Sequence, residues 1–131
     1  MARILIIDDD ADLRTTLREI LEQAGYAVVE AHDGHEGLTS YDAAPMDLII
    51  TDLLMPEQDG LETITALRRI NPHVKIIAIS GGGQTGRLDF LRAASVMGAQ
   101  RTLYKPLNRQ TLLAAVRDLT RGEDEPTHAG S

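Results

Sequence analysis

The apolar positions of this chain follow two rhythms that alternate from one end to the other. Short, nearly unbroken runs recur: "RILII" at 3–7, "YAVVEA" at 26–31, "DLIIT" at 47–51, "VKIIAIS" at 74–80 and "RTLY" at 101–104. They are mostly rich in β-branched residues and lack a polar face, as strands covered on both sides do. Between them, apolar residues fall at helical spacing. Leu13, Leu17, Ile20 and Leu21 form one stripe, Leu61, Ile64 and Leu67 another, and Leu112, Leu113, Val116 and Leu119 a third. A weaker helix is expected over 33–44, where Gly34 and Gly37 lower the propensity. A further helix is expected around 86–97.

The punctuation agrees with this division. Asp10 and Asp33 stand where N-caps belong, Gly25 where a helix needs a left-handed C′ residue, and Asn71-Pro72 where a helix must stop. The pattern is β-α repeated five times. It predicts an α/β, doubly wound open sandwich: a five-stranded parallel sheet covered on both faces by five helices with right-handed crossovers. One domain over 1–121 accounts for this pattern. Residues 122–131, "GEDEPTHAGS", have no apolar stripe and are expected to form a disordered C-terminal tail. No further effector domain is expected.

Composition narrows the partners. Among 131 residues, 20 Asp and Glu against 13 Lys and Arg give a net charge of −7. A nucleic-acid backbone would be repelled overall, so no DNA partner is expected; cations and basic protein patches suit the charge better. The absence of cysteine excludes disulfides, thiolate metal sites and cysteine nucleophiles. No stretch approaches the roughly 20 apolar residues of a membrane span. A cytoplasmic location, without a membrane partner, is the expectation.

The ends of the strands carry the chemistry. In an open parallel sheet, ligands bind beyond the carboxyl ends of the strands, where the winding reverses. Strand one ends in Asp8-Asp9-Asp10, strand three in Thr51-Asp52, strand four in Ser80 and strand five in Tyr104-Lys105-Pro106. Carboxylates, a hydroxyl and an ammonium should therefore meet on one rim. Clustered carboxylates repel one another, and an oxygen-only set with few side chains suits Mg²⁺. A phosphoryl group gives Lys105 a purpose beside that metal, and an aspartate can be its nucleophilic acceptor.

"ILIIDDD", "DLIITDLLMPEQDG", "IIAIS" and "YKP", in this order and spacing, resemble the receiver domain of two-component response regulators. The resemblance covers about residues 2–121. It implies a flavodoxin-like strand order of 2-1-3-4-5. It implies Asp52 as phosphoacceptor, Asp9 as direct metal ligand, Asp8 as a ligand acting more often through water, and the Leu54 backbone carbonyl as a further ligand. Ser80 matches the switch hydroxyl and Lys105 the family's lysine, with Lys105-Pro106 resembling a cis peptide. Mg²⁺ is the implied cofactor, with Mn²⁺ able to replace it. The implied donor is a phosphohistidine on a sensor histidine kinase or a histidine phosphotransfer protein. The downstream target is a protein that the sequence does not name. The face around 86–120 is the implied partner surface, a second copy of the chain being one candidate occupant.

Two departures stand out. Family members often carry Tyr or Phe three residues before the lysine; here that residue is Thr102, while Tyr104 shares its parity about 7 Å further along the strand. The loop "SGGGQTGRLDF" after Ser80 is longer than usual, and its glycines at 81–83 favour rearrangement on phosphorylation. Leu54 offers no polar group to orient water, which predicts slow self-dephosphorylation. Three functions compete: a phosphoacceptor signalling module without independent multiple turnover, a phosphorylation-independent adaptor, and a haloacid-dehalogenase-like phosphatase. The last would use Asp8-x-Asp10 as its nucleophile pattern. His32 and His35 are expected to be solvated rather than metal ligands, and Arg68-Arg69 to lie on a solvated helix face.

Overall fold

A computed structural model of the chain describes residues 2–52, 60–80 and 98–124. In chain order the elements are β1 (Arg3–Ile7), α1 (Ala11–Gln23), β2 (Ala27–Ala31), α2 (Gly34–Ala43), β3 (Leu48–Asp52), α3 (Gly60–Ile70), β4 (Ile76–Ser80), β5 (Arg101–Tyr104) and α4 (Arg109–Asp124). The expected helix around 86–97 lies outside the described residues, as do the glycines at 81–83. All strand pairs are parallel, and the sheet order is β2-β1-β3-β4-β5.

Successive strand residues supply opposite faces, which divides the core in two. Leu5, Ile7, Ile49, Ile76 and Ala78 pack with Tyr41 of α2 and with Ile64 and Leu67 of α3. Ile4, Ile6, Leu48, Ile50, Ile77 and Ile79 pack with Leu17 and Leu21 of α1 and with Leu112, Val116 and Leu119 of α4. The unbroken apolar strands therefore have the physical cause expected of them: both faces are covered. Ile20 and Leu113 border the second core, only partly buried.

The helix ends follow their capping chemistry. Asp10 Oδ1 accepts from the N–H groups of Asp12 and Leu13, and Asp33 Oδ1 accepts from Glu36 N–H. Asn108 does the same for α4, accepting from Thr111 N–H at 3.0 Å. At the C-terminus of α1, Gly25 takes φ +99°; its N–H reaches the Glu22 carbonyl, and that of Tyr26 reaches the Leu21 carbonyl. This pair of bonds is the Schellman arrangement, which needs a left-handed residue at that point.

Two expectations shift. α4 continues through Asp124, three residues into the stretch expected to fray, so the candidate tail shortens to 125–131, outside the described residues. Arg68 is not a solvated face residue. Its guanidinium donates to the Gly98 carbonyl and, at 2.8 Å, to the Pro72 carbonyl, and burial lowers its pKa. Arg69 is exposed, as expected. Among the described residues, no helix is long and apolar enough to cross a membrane.

Candidate functional site

β1 lies between β2 and β3, so the winding reverses at β1 and the crevice opens beyond its carboxyl end. The register sets what meets there. Ile7 pairs with Thr51, which brings Asp8, one residue later, level with Asp52. Ser80 pairs with Tyr104, so Lys105 follows directly on the rim, and its N–H donates to the Ser80 carbonyl at 2.9 Å. The Lys105–Pro106 peptide is cis.

Asp8, Asp9 and Asp52 each bring a carboxylate oxygen within 4.8 Å of the other two. Asp8 is 1% and Asp52 4% exposed, whereas Asp9 faces solvent. Lys105 Nζ stands 3.5 Å from Asp8 Oδ2 and 3.6 Å from Asp52 Oδ2. Asp8 Oδ1 accepts from Asp10 N–H at 2.9 Å. Its other oxygen, Oδ2, is buried and has no close hydrogen-bond partner among the described residues; the Lys105 ammonium faces it across 3.5 Å. The Ser80 hydroxyl is likewise buried and without a hydrogen-bond partner among the described residues.

Burial raises the Asp8 pKa above the ordinary carboxylate value. The Asp10 N–H and the Lys105 ammonium oppose that shift, and the neighbouring Asp9 adds to it slightly. Burial dominates because the Asp8 carboxyl is almost wholly withdrawn from water, which penalises its charged form. A buried oxygen with no donor among the described residues, beside two further carboxylates, fits a hard divalent cation: it would supply the missing positive charge and accept an oxygen-only ligand set.

Of the residues selected from the sequence, Asp8, Asp9, Asp52 and Lys105 converge in one crevice, with Ser80 on the adjoining strand end. Asp10 turns away from it to cap α1. Leu54 lies outside the described residues. Thr102 and Tyr104 line one groove of about 330 Å³ with Leu107 and Thr111, and Tyr104 is 43% exposed. His32 is paired with Asp33 and Glu36 and remains largely solvent-facing; His35 is exposed on α2.

Sequence reasoning did not single out Arg14 and Glu30. Arg14 Nη1 donates to the Asp8 carbonyl at 2.7 Å, and its Nε pairs with Glu30 at 3.1 Å. The available signal was an acid inside an otherwise apolar strand, facing an arginine on the preceding helix.

Comparison with known proteins places these features in context. The family model for the response regulator receiver domain matches residues 4–117. The chain is 36% identical over 121 residues to the transcriptional regulatory protein CpxR of Escherichia coli K12, covering 92% of this chain and 50% of CpxR. It thus spans about half the length of that relative. It is 32% identical to the chemotaxis protein CheY of Thermotoga maritima, covering 91% of this chain and 98% of CheY. A crystal structure of a response regulator receiver domain protein from Clostridium thermocellum superposes with a TM-score of 0.86 at 30% identity, covering 94% of this chain and 97% of that one.

Proposed function

Because the chain belongs to the response regulator receiver family, we propose that it accepts a phosphoryl group on Asp52 from a phosphohistidine donor and signals through a changed protein-binding surface. The observation that carries this reading is the convergence of Asp8, Asp9 and Asp52 on one point with Lys105 beside two of them.

Asp52 is the carboxylate at the end of β3, at the reversal of the winding and against the lysine. Its oxygen attacks phosphorus; the phosphorus–nitrogen bond of the donor breaks, and the electron pair returns to the imidazole, which takes up a proton. Lys105 offsets the negative charge of the arriving group. The Ser80 hydroxyl, which has no other acceptor among the described residues, donates to a phosphoryl oxygen. Asp9 and Asp8 would hold Mg²⁺, or Mn²⁺ in its place, with Asp52 and the Leu54 carbonyl completing the protein ligands. The chemistry that bound cation supplies is neutralisation of charge on the phosphoryl oxygens.

The expected setting is the cytoplasm, with a sensor histidine kinase or phosphotransfer protein as donor. The target is a protein that docks on the face around 86–120, with a second copy of the chain as one candidate. The loop at 81–86 is expected to rearrange on phosphorylation, and the phosphoryl group to be lost slowly. Independent multiple turnover is not expected. Asp10 supports this: its carboxylate is committed to the Asp12 and Leu13 amides, which removes the Asp-x-Asp pair that a haloacid-dehalogenase-like phosphatase needs.

The test is incubation with a small phosphodonor such as acetyl phosphate and Mg²⁺, read by intact mass. One phosphoryl adduct is expected, lost with Asp52→Ala and with a chelator. An adduct that survives Asp52→Ala overturns the assignment.

A further inference from the structure

The Asp8 backbone is held at both of its polar groups, by β2 directly and by Arg14 of α1. Its N–H donates to the Ala31 carbonyl at 3.1 Å. Its carbonyl accepts from Arg14 Nη1 at 2.7 Å, and Arg14 Nε pairs with Glu30, one residue before Ala31. The two side chains are mostly buried, 17% and 24% exposed. Glu30 is itself held by Arg18, whose Nη2 donates to the Val28 carbonyl of the same strand. The guanidinium of Arg14 is therefore fixed to β2 while it grips the residue that follows β1.

The geometry has a consequence for Asp9. The Asp8 carbonyl and the Asp9 N–H belong to one rigid peptide plane. Holding that carbonyl restrains the plane, and with it the position from which the Asp9 side chain leaves. On the other side of Asp9, the Asp10 N–H is tied to Asp8 Oδ1. Asp9, the exposed member of the acidic cluster, is thus set between two pinned neighbours.

We propose that Arg14 is a positioning residue for the acidic cluster: through the Glu30–Arg14–Asp8 chain it orients the Asp8–Asp9 peptide so that both carboxylates present to one cation. The proposal rests on the Mg²⁺ reading above. Arg14 does not act as a competing counter-cation, because Glu30 offsets its charge. The two roles have opposite signs. Removing a competing cation would tighten Mg²⁺ binding, whereas losing an orienting contact weakens it, by about tenfold for residues that support metal ligands.

The experiment measures Mg²⁺ binding by titration calorimetry on the full chain and three variants. Arg14→Met keeps the aliphatic stem without donors, and its Mg²⁺ affinity should fall about tenfold. Arg14→Lys keeps the charge but cannot fork between Glu30 and the Asp8 carbonyl, and it should also stay weak. Arg101→Ala removes an exposed ion pair with Asp118 of α4, away from the acidic cluster, and its affinity should match the parent. Binding by Arg14→Met that is unchanged or tighter overturns the proposal, as does parental binding by Arg14→Lys. If the parent itself binds no Mg²⁺, the metal reading fails instead. The Asp9 amide then decides the backbone claim in metal-free protein: Arg14→Met should shift its nuclear magnetic resonance and speed its hydrogen exchange, and Arg101→Ala should not. An Asp9 amide insensitive to Arg14→Met overturns the positioning role.

Discussion

Lys105 Nζ lies 3.6 Å from Asp52 Oδ2, although the two residues belong to the ends of strands separated by β4. The lysine spans the end of that strand, where Ser80 sits, and stands nearly as close to Asp8 at 3.5 Å. One cation therefore joins two buried carboxylates that would otherwise repel.

This arrangement predicts opposite effects of Lys105→Met on two measurements. The ammonium competes with a metal for the same carboxylates, so Mg²⁺ affinity should rise. The same ammonium offsets charge on the transferred group, so phosphorylation by acetyl phosphate should slow by about a hundredfold, as when one preorganised donor is removed. Calorimetry and the rate of adduct formation read the two effects separately. If neither changes, Lys105 only fills space.

The acidic cluster should cost the metal-free protein stability. Burial raises the Asp8 pKa in the folded state, so the folded protein holds its proton to a higher pH than the unfolded chain does. Stability attributable to Asp8 is then greatest below its ordinary value of 3.8 and is lost as pH rises through the raised value. Asp8→Asn, measured in chelator, should raise Tm at pH 7, and the gain should fade as pH falls from the raised value toward 3.8. Saturating Mg²⁺ should reverse the order, because the parent gains more from the cation. A lower Tm for Asp8→Asn in chelator at pH 7 would contradict the burial argument.

Much of this site was legible because it depends on strand ends. The apolar runs located β1, β3, β4 and β5, and the first polar residues after them supplied Asp8, Asp9, Asp52, Ser80 and Lys105. A parallel register needs only the topology to bring such ends together. Arg14 and Glu30 were not legible in that way. Their meeting depends on how α1 packs over β2, and a solvated arginine and a buried one look alike in sequence. Arg68 misled for the same reason: its contact with Gly98 joins positions thirty residues apart. The end of α4 was misjudged because "GED" lacks an apolar stripe, yet backbone hydrogen bonds continue the helix through it.

The three consecutive aspartates should separate by function. Asp9→Ala should weaken Mg²⁺ binding most, because its exposed carboxylate belongs to the cluster and accepts no backbone hydrogen bond among the described residues. Asp8→Ala should weaken it less. Asp10→Ala should leave it nearly unchanged and cost about 1 kcal/mol of stability, the usual loss for an N-cap. Denaturant unfolding and calorimetry on the three variants test this ranking. If Asp10→Ala is the most damaging to Mg²⁺ binding, the cap assignment is wrong.

Gly37 couples helix packing to the same rim. A Cβ at this position would lie 2.4 Å from Ile7 Cδ1 and 2.8 Å from Ile7 Cγ1. Ile7 is fully buried and immediately precedes Asp8, so it has little room to withdraw. Overpacking of this kind costs about 1–3 kcal/mol, and the better helix propensity of alanine returns up to about 1 kcal/mol. Gly37→Ala should therefore destabilise the protein by about 1–2 kcal/mol net of that gain. Ile7→Val removes the Cδ1 atom that meets the new methyl group. The double variant should thus lose less than the sum of the two single losses, with a coupling of at least about 0.5 kcal/mol between the sites. Denaturant unfolding of all four proteins completes the cycle. Strict additivity would mean that α2 shifts as a body and that Ile7 does not transmit the strain.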